Sequence, residues 1–166
     1  MSRDEEFTDF LTVRWSRLVR QAQLMGCTHA DAEDVVQTTF TQAYVHWRKV
    51  SRADNPDAYL HRMLVNAFLA SRRGQKGREQ ASDEVPDGVV ADRTGNVDTT
   101  DALLRALGRL GTDQRLAVVL RHYAHLGEHE MAQVLGVAPG TVKSRLARAM
   151  KALASDPGLL ALEGQA

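Results

Sequence analysis

Between residues 74 and 100 the apolar pattern of this chain stops. The stretch GQKGREQASDEVPDGVVADRTGNVDTT is rich in Gly, Asp, Ser and Thr, contains Pro86, and shows neither a helical nor a strand period. A segment without an apolar face cannot join a core, so it reads as a linker. It cuts the rest into two pieces, 1–73 and 101–155, and leaves 156–166 as a tail expected to fray after Pro157. Each piece is small enough to be marginal alone.

Both pieces carry a helical period. In the first, Phe7, Phe10, Leu11, Trp15, Leu18, Ala22 and Met25 recur at helical spacing, and Gly26 ends the run. Thr28, with Asp31 three residues on, resembles a capping signal for a second helix that buries Ala32, Val36, Phe40, Ala43 and Trp47. Asn55-Pro56 marks a third start, since proline suits a first helical turn. Its stripe is Tyr59/Leu60, Met63/Leu64 and Ala67/Phe68, closing on Ser71-Arg72-Arg73, where cations favour a helix C-terminus. The second piece gives four helices. The first carries Leu103, Leu104, Leu107 and Leu110; the second runs from about Asp113 to His122 with Leu116, Val119, Leu120 and Tyr123 inward. The third runs from about Glu128 to Leu135, and the fourth from Pro139 to about Ala154. Strand patterns are absent, so the fold class is all-α: two small helical domains joined by a flexible acidic linker.

Charge is partitioned along the chain although 21 basic side chains balance 21 acidic ones. Residues 51–80 carry net +3, residues 81–101 net −5, and residues 102–166 net +3. The most one-sided stretch is GTVKSRLARAM, 140–150, which holds Lys143, Arg145 and Arg148, is followed by Lys151, and contains no acid. At about 100° per residue, Val142, Leu146, Ala149, Met150 and Leu153 share one face; Lys143, Ser144, Ala147, Arg148 and Lys151 share the other, with Arg145 at the flank. A short helix and a turn with Gly136 precede it. This is the helix-turn-helix arrangement, whose second helix enters the DNA major groove. Its N-terminus offers backbone N–H groups to phosphate, Lys and Arg supply phosphate and guanine contacts, and the small Ala147 admits close approach. The competing reading is a solvated basic face on an ordinary helix.

Other classes lack their signatures. Cys27 is the single cysteine and has no internal disulfide partner, which fits a reducing cytosol. The acidic N-terminus MSRDEEFTDF has no apolar core of a signal peptide, and no run approaches a membrane span, so a cytoplasmic protein is expected. HEMAQ, 129–133, has Gln133 where a zinc-protease motif needs its second histidine. His122, His125 and His129 straddle a predicted helix break, and the sequence has no phosphate-binding glycine loop or nucleophile elbow. No catalytic, metal or cofactor site is assigned.

The string LGVAPGTVKSRLARAMKAL resembles the minus-thirty-five-reading helix-turn-helix of extracytoplasmic-function (ECF) sigma factors. DAEDVVQTTFTQAY, 31–44, is similar to that family's core-polymerase-binding helix, and NPDAYLHRMLVNAFLASRRG, 55–74, to its minus-ten helix, with LVNAFLASRR most like a SigE-type subgroup. The resemblance implies a promoter-specificity subunit of bacterial RNA polymerase, without chemistry of its own. It implies that Asp31, Glu33, Asp34, Gln37 and Phe40 dock on the clamp helices of the largest polymerase subunit, an acidic patch meeting a basic one. Asp31, Glu33 and Asp34 also suit the positive end of a helix dipole. It implies that the loop from Arg52 to Ala58, including Asn55, captures a flipped minus-ten base, that Asn66 lies near that DNA, and that Arg62, Arg72 and Arg73 hold its phosphates. It implies that Thr141, Lys143, Ser144, Arg145, Ala147, Arg148 and Lys151 meet the minus-thirty-five element. Two departures stand out: Ala138 and Gly127 occupy positions where many members have Ser. Ala138 is a poor N-cap, and Gly127 an acceptable one. The acidic linker reads either as an RNA-like segment or as a plain tether. An anti-sigma protein is a candidate partner, and the alternative function is a stand-alone helix-turn-helix regulator binding duplex operators as a dimer.

Overall fold

The structure, a computed structural model, describes residues 1–76 and 97–164. The acidic segment from 77 to 96, where most of the expected linker falls, lies outside the described residues. Every regular element among the described residues is helical. They group into two compact units, one built on α1–α4 and the other on α5–α9.

In the first unit α1 is Arg3–Met25 and stops at Gly26, whose φ of 125° only glycine adopts readily. Helix α2, His29–Val45, starts as the capping signal requires: Thr28 accepts a hydrogen bond from the Asp31 N–H at 3.1 Å. It does not run on to Trp47. A break at His46 starts a separate short helix, α3, Trp47–Ser51, which turns both Trp47 and Val50 into the core. Helix α4, Pro56–Lys76, opens at the expected proline, with Asn55 Oδ1 accepting from the Ala58 N–H at 3.0 Å. It runs past the expected end at Arg73 by most of a turn. The core joins Leu18 and Ala22 of α1, Val36 and Phe40 of α2, and Leu60, Leu64, Val65 and Phe68 of α4, all buried. The N-terminal half of α1 is tied down by aromatics instead. Phe7 meets Phe40, Tyr44 and Trp47 edge-on, with centroids 5.0–6.3 Å apart. Tyr44 also donates its hydroxyl proton to Asp4 at 2.7 Å, which raises the phenol's pKa above its ordinary value.

The second unit has five helices where four were expected. Helix α5 is Val97–Arg109; Ala102, Ala106 and Leu107 are buried, whereas Leu103 is 41% exposed. Helix α6, Thr112–Val118, widens into a π turn over Val119–Tyr123, whose Ala124 N–H reaches back to Val119 O at 3.1 Å. Helix α7 is Glu128–Leu135, and α8 is Pro139–Ala154. Leu107, Val118 and Ala149 form the core cluster, with Leu110 and Leu153 packed against it. The tail is not frayed: Pro157–Glu163 forms α9. Its N-cap, Asp156, is only 7% exposed, accepts from the Gly158 and Leu159 N–H groups, and receives two guanidinium N–H bonds from Arg109, both at 2.7 Å. The hydrogen bonds from Arg109 hold the Asp156 carboxyl below the usual carboxylate range.

Candidate nucleic-acid interface

Helix α8 owes its placement to the turn before it. Gly136 ends α7 at φ 66°, and the Gly136 and Val137 N–H groups both return to Ala132 O, a glycine-based helix stop. Ala138 then caps α8 without a side-chain hydrogen bond, and Pro139 occupies the first turn. No acid lies in that turn. At the start of α7, Gly127 is the cap, and the Glu130 carboxylate accepts its N–H at 3.3 Å.

On α8, Lys143, Ser144, Ala147, Arg148 and Lys151 are all exposed, and they span about 140° of the helix circumference. Thr141 is half-buried beside them. Val142 and Ala149 are fully buried on the opposite side. Two expectations change in detail. Met150 is 44% exposed, not inward, because it sits only about 20° from Lys143 around the helix. Arg145 is half-buried, its side chain 23% exposed and 3.7 Å from Asp113 of α6, so it ties α8 to its scaffold. Lys143 lies 3.8 Å from Glu128 at the start of α7, a loose, solvent-exposed pair of the kind that contributes little. The Ser144 hydroxyl donates to Gly140 O at 3.0 Å.

The first unit presents two surfaces. On α2, Glu33, Asp34 and Gln37 are exposed within about 100° of each other. Glu33 pairs with His29 at 3.0 Å, and Asp31, half-buried, accepts from the Gln75 side chain at 3.1 Å. Phe40 does not share this surface. It is 3% exposed, stacked on Trp15 and edge-on to Phe7, so it supports α2 from within. On α4, Arg62, Asn66 and Arg73 are exposed and share a stripe about 40° wide. Arg72 is half-buried with its guanidinium 5.0 Å from the centre of the Phe68 ring, which turns it away from that stripe. Arg52 is exposed in the loop before α4, and the exposed Asn55 spends its side-chain oxygen on capping that helix. Sequence reasoning missed Arg14 of α1, which bonds Asp57 beside this loop at 2.7 Å. Its one signal was an arginine set within the apolar stripe of α1, four residues after Phe10.

His122, His125 and His129 are exposed. Among the described residues no three His, Cys, Asp or Glu side chains are grouped to hold a metal. Nor, among them, is any helix long and apolar enough to cross a membrane.

Known proteins share this arrangement in the same order along the chain. The family pattern "Sigma-70 region 2" matches residues 14–78, and "Sigma-70, region 4" matches residues 100–153. The RNA polymerase sigma-E factor of Streptomyces avermitilis is 33% identical over 151 residues, covering 91% of this chain and 84% of the relative. The ECF RNA polymerase sigma factor SigM of Mycobacterium tuberculosis is 40% identical over 146 residues, covering 87% and 73%. Among solved structures, the sigma factor RpoE of Bartonella quintana, in complex with the anti-sigma factor NepR, superposes with a TM-score of 0.79 at 29% identity, over 90% of this chain and 94% of that one. CnrH, in complex with the cytosolic domain of CnrY, shares the fold at a TM-score of 0.62 and 23% identity, over 92% and 87%.

The chain therefore belongs to the ECF RNA polymerase sigma factors, subunits that direct the polymerase to promoters. A stand-alone duplex-binding regulator would have no use for the region 2 unit, so that alternative is set aside.

Proposed function

We propose a division of labour among three surfaces. The exposed acids of α2, Glu33 and Asp34 with Gln37, dock on a basic, helical surface of core polymerase, and the buried Phe40 keeps that helix in place. The loop from Arg52 leads into the α4 stripe of Arg62, Asn66 and Arg73; together they take a minus-ten base and the phosphates beside it as the duplex opens. Helix α8 enters the major groove at the minus-thirty-five element, with Lys143, Ala147, Arg148 and Lys151 toward the DNA and Thr141 and Ser144 at its N-terminal end.

The observation that carries this reading is the α8 face: three exposed basic side chains, Lys143, Arg148 and Lys151, within three turns, no acid in the first turn, and a buried opposite side. An ordinary surface helix would mix both signs. The chain performs no chemistry in this reading; core polymerase supplies it. The protein works in the cytoplasm with core enzyme. Two modest DNA readers on one chain raise each other's effective concentration. An anti-sigma protein is a further proposed partner, because the RpoE relative is held by one.

Run-off transcription on genomic fragments with purified core, with and without this protein, tests the reading. The expected result is protein-dependent transcripts that share a two-part upstream motif. No transcripts, together with no binding to core, would contradict it.

A further inference from the structure

The loop between α3 and α4 is held at both ends. At its start the Ala53 N–H donates to Val50 O at 3.3 Å, and Val50 is fully buried. At its end Asn55 caps α4, and Asp57 stands in the first turn of that helix. One arginine from α1 joins these ends. Arg14 Nε donates to Asp57 Oδ1 at 2.7 Å, its Nη1 donates to Phe10 O at 3.2 Å, and its guanidinium lies 3.9 Å from the centre of the Phe10 ring. Phe10 in turn packs edge-on against Trp47 of α3, with centroids 5.1 Å apart. A single side chain thus links the helix before the loop, through Phe10 and Trp47, to the helix after it, through Asp57.

We propose that Arg14 is a positioning residue for minus-ten recognition, bracing the loop that takes the base. The proposal rests on the reading that this loop contacts the minus-ten element. The pair is too exposed, at 29% and 59% of the two side chains, to matter much for global stability. Its geometry is specific nonetheless. A planar guanidinium that stacks on a ring while donating to a carboxylate and a carbonyl fixes a direction, which a lysine cannot reproduce. A loop that must receive a base in one orientation gains from such bracing, because small misplacements of a binding group are costly.

The test is transcription by the full chain with core polymerase on two template pools, one randomised at the minus-ten element and one at the minus-thirty-five element. Transcribed templates are sequenced to obtain the base preference. Arg14→Ala is expected to weaken the minus-ten preference by about tenfold while leaving the minus-thirty-five preference intact. Asp57→Ala should do the same, and the double variant should be no worse than either alone. Arg14→Lys should recover only part of the preference. A control variant, Arg52→Ala with Asp54→Ala, alters the loop itself. If that control changes the minus-ten preference and Arg14→Ala does not, the bracing proposal is overturned and the loop reading stands. If neither changes it, the loop reading fails and the proposal with it. An equal loss of both preferences, or a large drop in melting temperature shared by Arg14→Ala and Arg14→Lys, would mark Arg14 as merely structural and also overturn it.

Discussion

Helices α2 and α8 begin alike but expose side chains of opposite charge, which is why we propose opposite partners for them. Each is launched from a glycine at positive φ two residues before its N-cap, Gly26 at 125° before Thr28 and Gly136 at 66° before Ala138. From there they diverge. The start of α2 is closed: Thr28 accepts the Asp31 N–H, and Asp31 lies in the first turn. The start of α8 is open, with no side-chain cap and no acid. The exposed residues follow suit, Glu33 and Asp34 on one helix and Lys143, Arg148 and Lys151 on the other. A helix N-terminus attracts anions whatever the helix is for. Filling it with the chain's own groups suits a surface meant for a basic protein. Leaving it open suits a surface meant for phosphate.

That contrast can be broken or sharpened by substitution. The largest effect is expected at Arg148. Arg148→Ala should weaken minus-thirty-five recognition by about 1–3 kcal/mol if it reads a base, and flatten the log–log salt dependence by about 0.9 if it holds a phosphate. Promoter-binding titrations across salt concentrations measure both, and an unchanged affinity and slope would remove Arg148 from the interface. Next is the turn that aims α8. No atom within 4 Å would meet a Cβ at Gly136, so Gly136→Ala should lose only the strain of a left-handed residue, about 1–2 kcal/mol in thermal or denaturant unfolding. A neutral result would mean that the turn relaxes to another backbone conformation.

The caps give a matched pair of smaller effects. Thr28→Ala should cost about 1 kcal/mol, and Ala138→Ser should gain about the same, without altering promoter choice. A melt showing no gain for Ala138→Ser would place the start of α8 elsewhere. The smallest effect belongs to Asp156. The Arg109 hydrogen bonds depress its pKa in the folded state, so its contribution is present above the ordinary carboxylate pKa and fades as pH falls through the depressed value. Acid unfolding of wild type and Asp156→Asn, followed below the ordinary carboxylate range, should converge as that proton binds. A constant gap between the two curves would show that the charge of Asp156 is not what holds α9.

Much of this architecture is legible in the sequence, and the exceptions have local causes. The bounds of α7, the proline starts of α4 and α8, and the Thr28 cap follow from side chains that act on their own backbone. Helix α9 was missed although Asp156-Pro157 carries the same cap-and-proline signature as Asn55-Pro56. What the sequence hides is the bidentate bond from Arg109 that makes so short a helix worth keeping. The break at His46, the π turn over Val119–Tyr123 and the burial of Phe40 depend on what other helices place opposite them, which no local pattern reports. At the candidate interface, the exposed basic face of α8 was legible because its charge pattern is periodic. The half-burial of Arg145, through Asp113 more than a full helix away, was not.

The most direct test of the opposed-helix account is a pair of charge reversals read in the same two assays. Glu33→Lys with Asp34→Lys on α2, and Lys143→Glu with Arg148→Glu on α8, are each measured for affinity to core polymerase and for minus-thirty-five binding by the assembled holoenzyme at protein concentrations that saturate core. The account predicts that the α2 reversal lowers affinity for core, while holoenzyme that still forms binds the minus-thirty-five element normally. It predicts that the α8 reversal abolishes minus-thirty-five binding and leaves core affinity unchanged. If the α2 reversal left core affinity intact, or the α8 reversal left DNA binding intact, the assignment of that helix to its partner would be wrong.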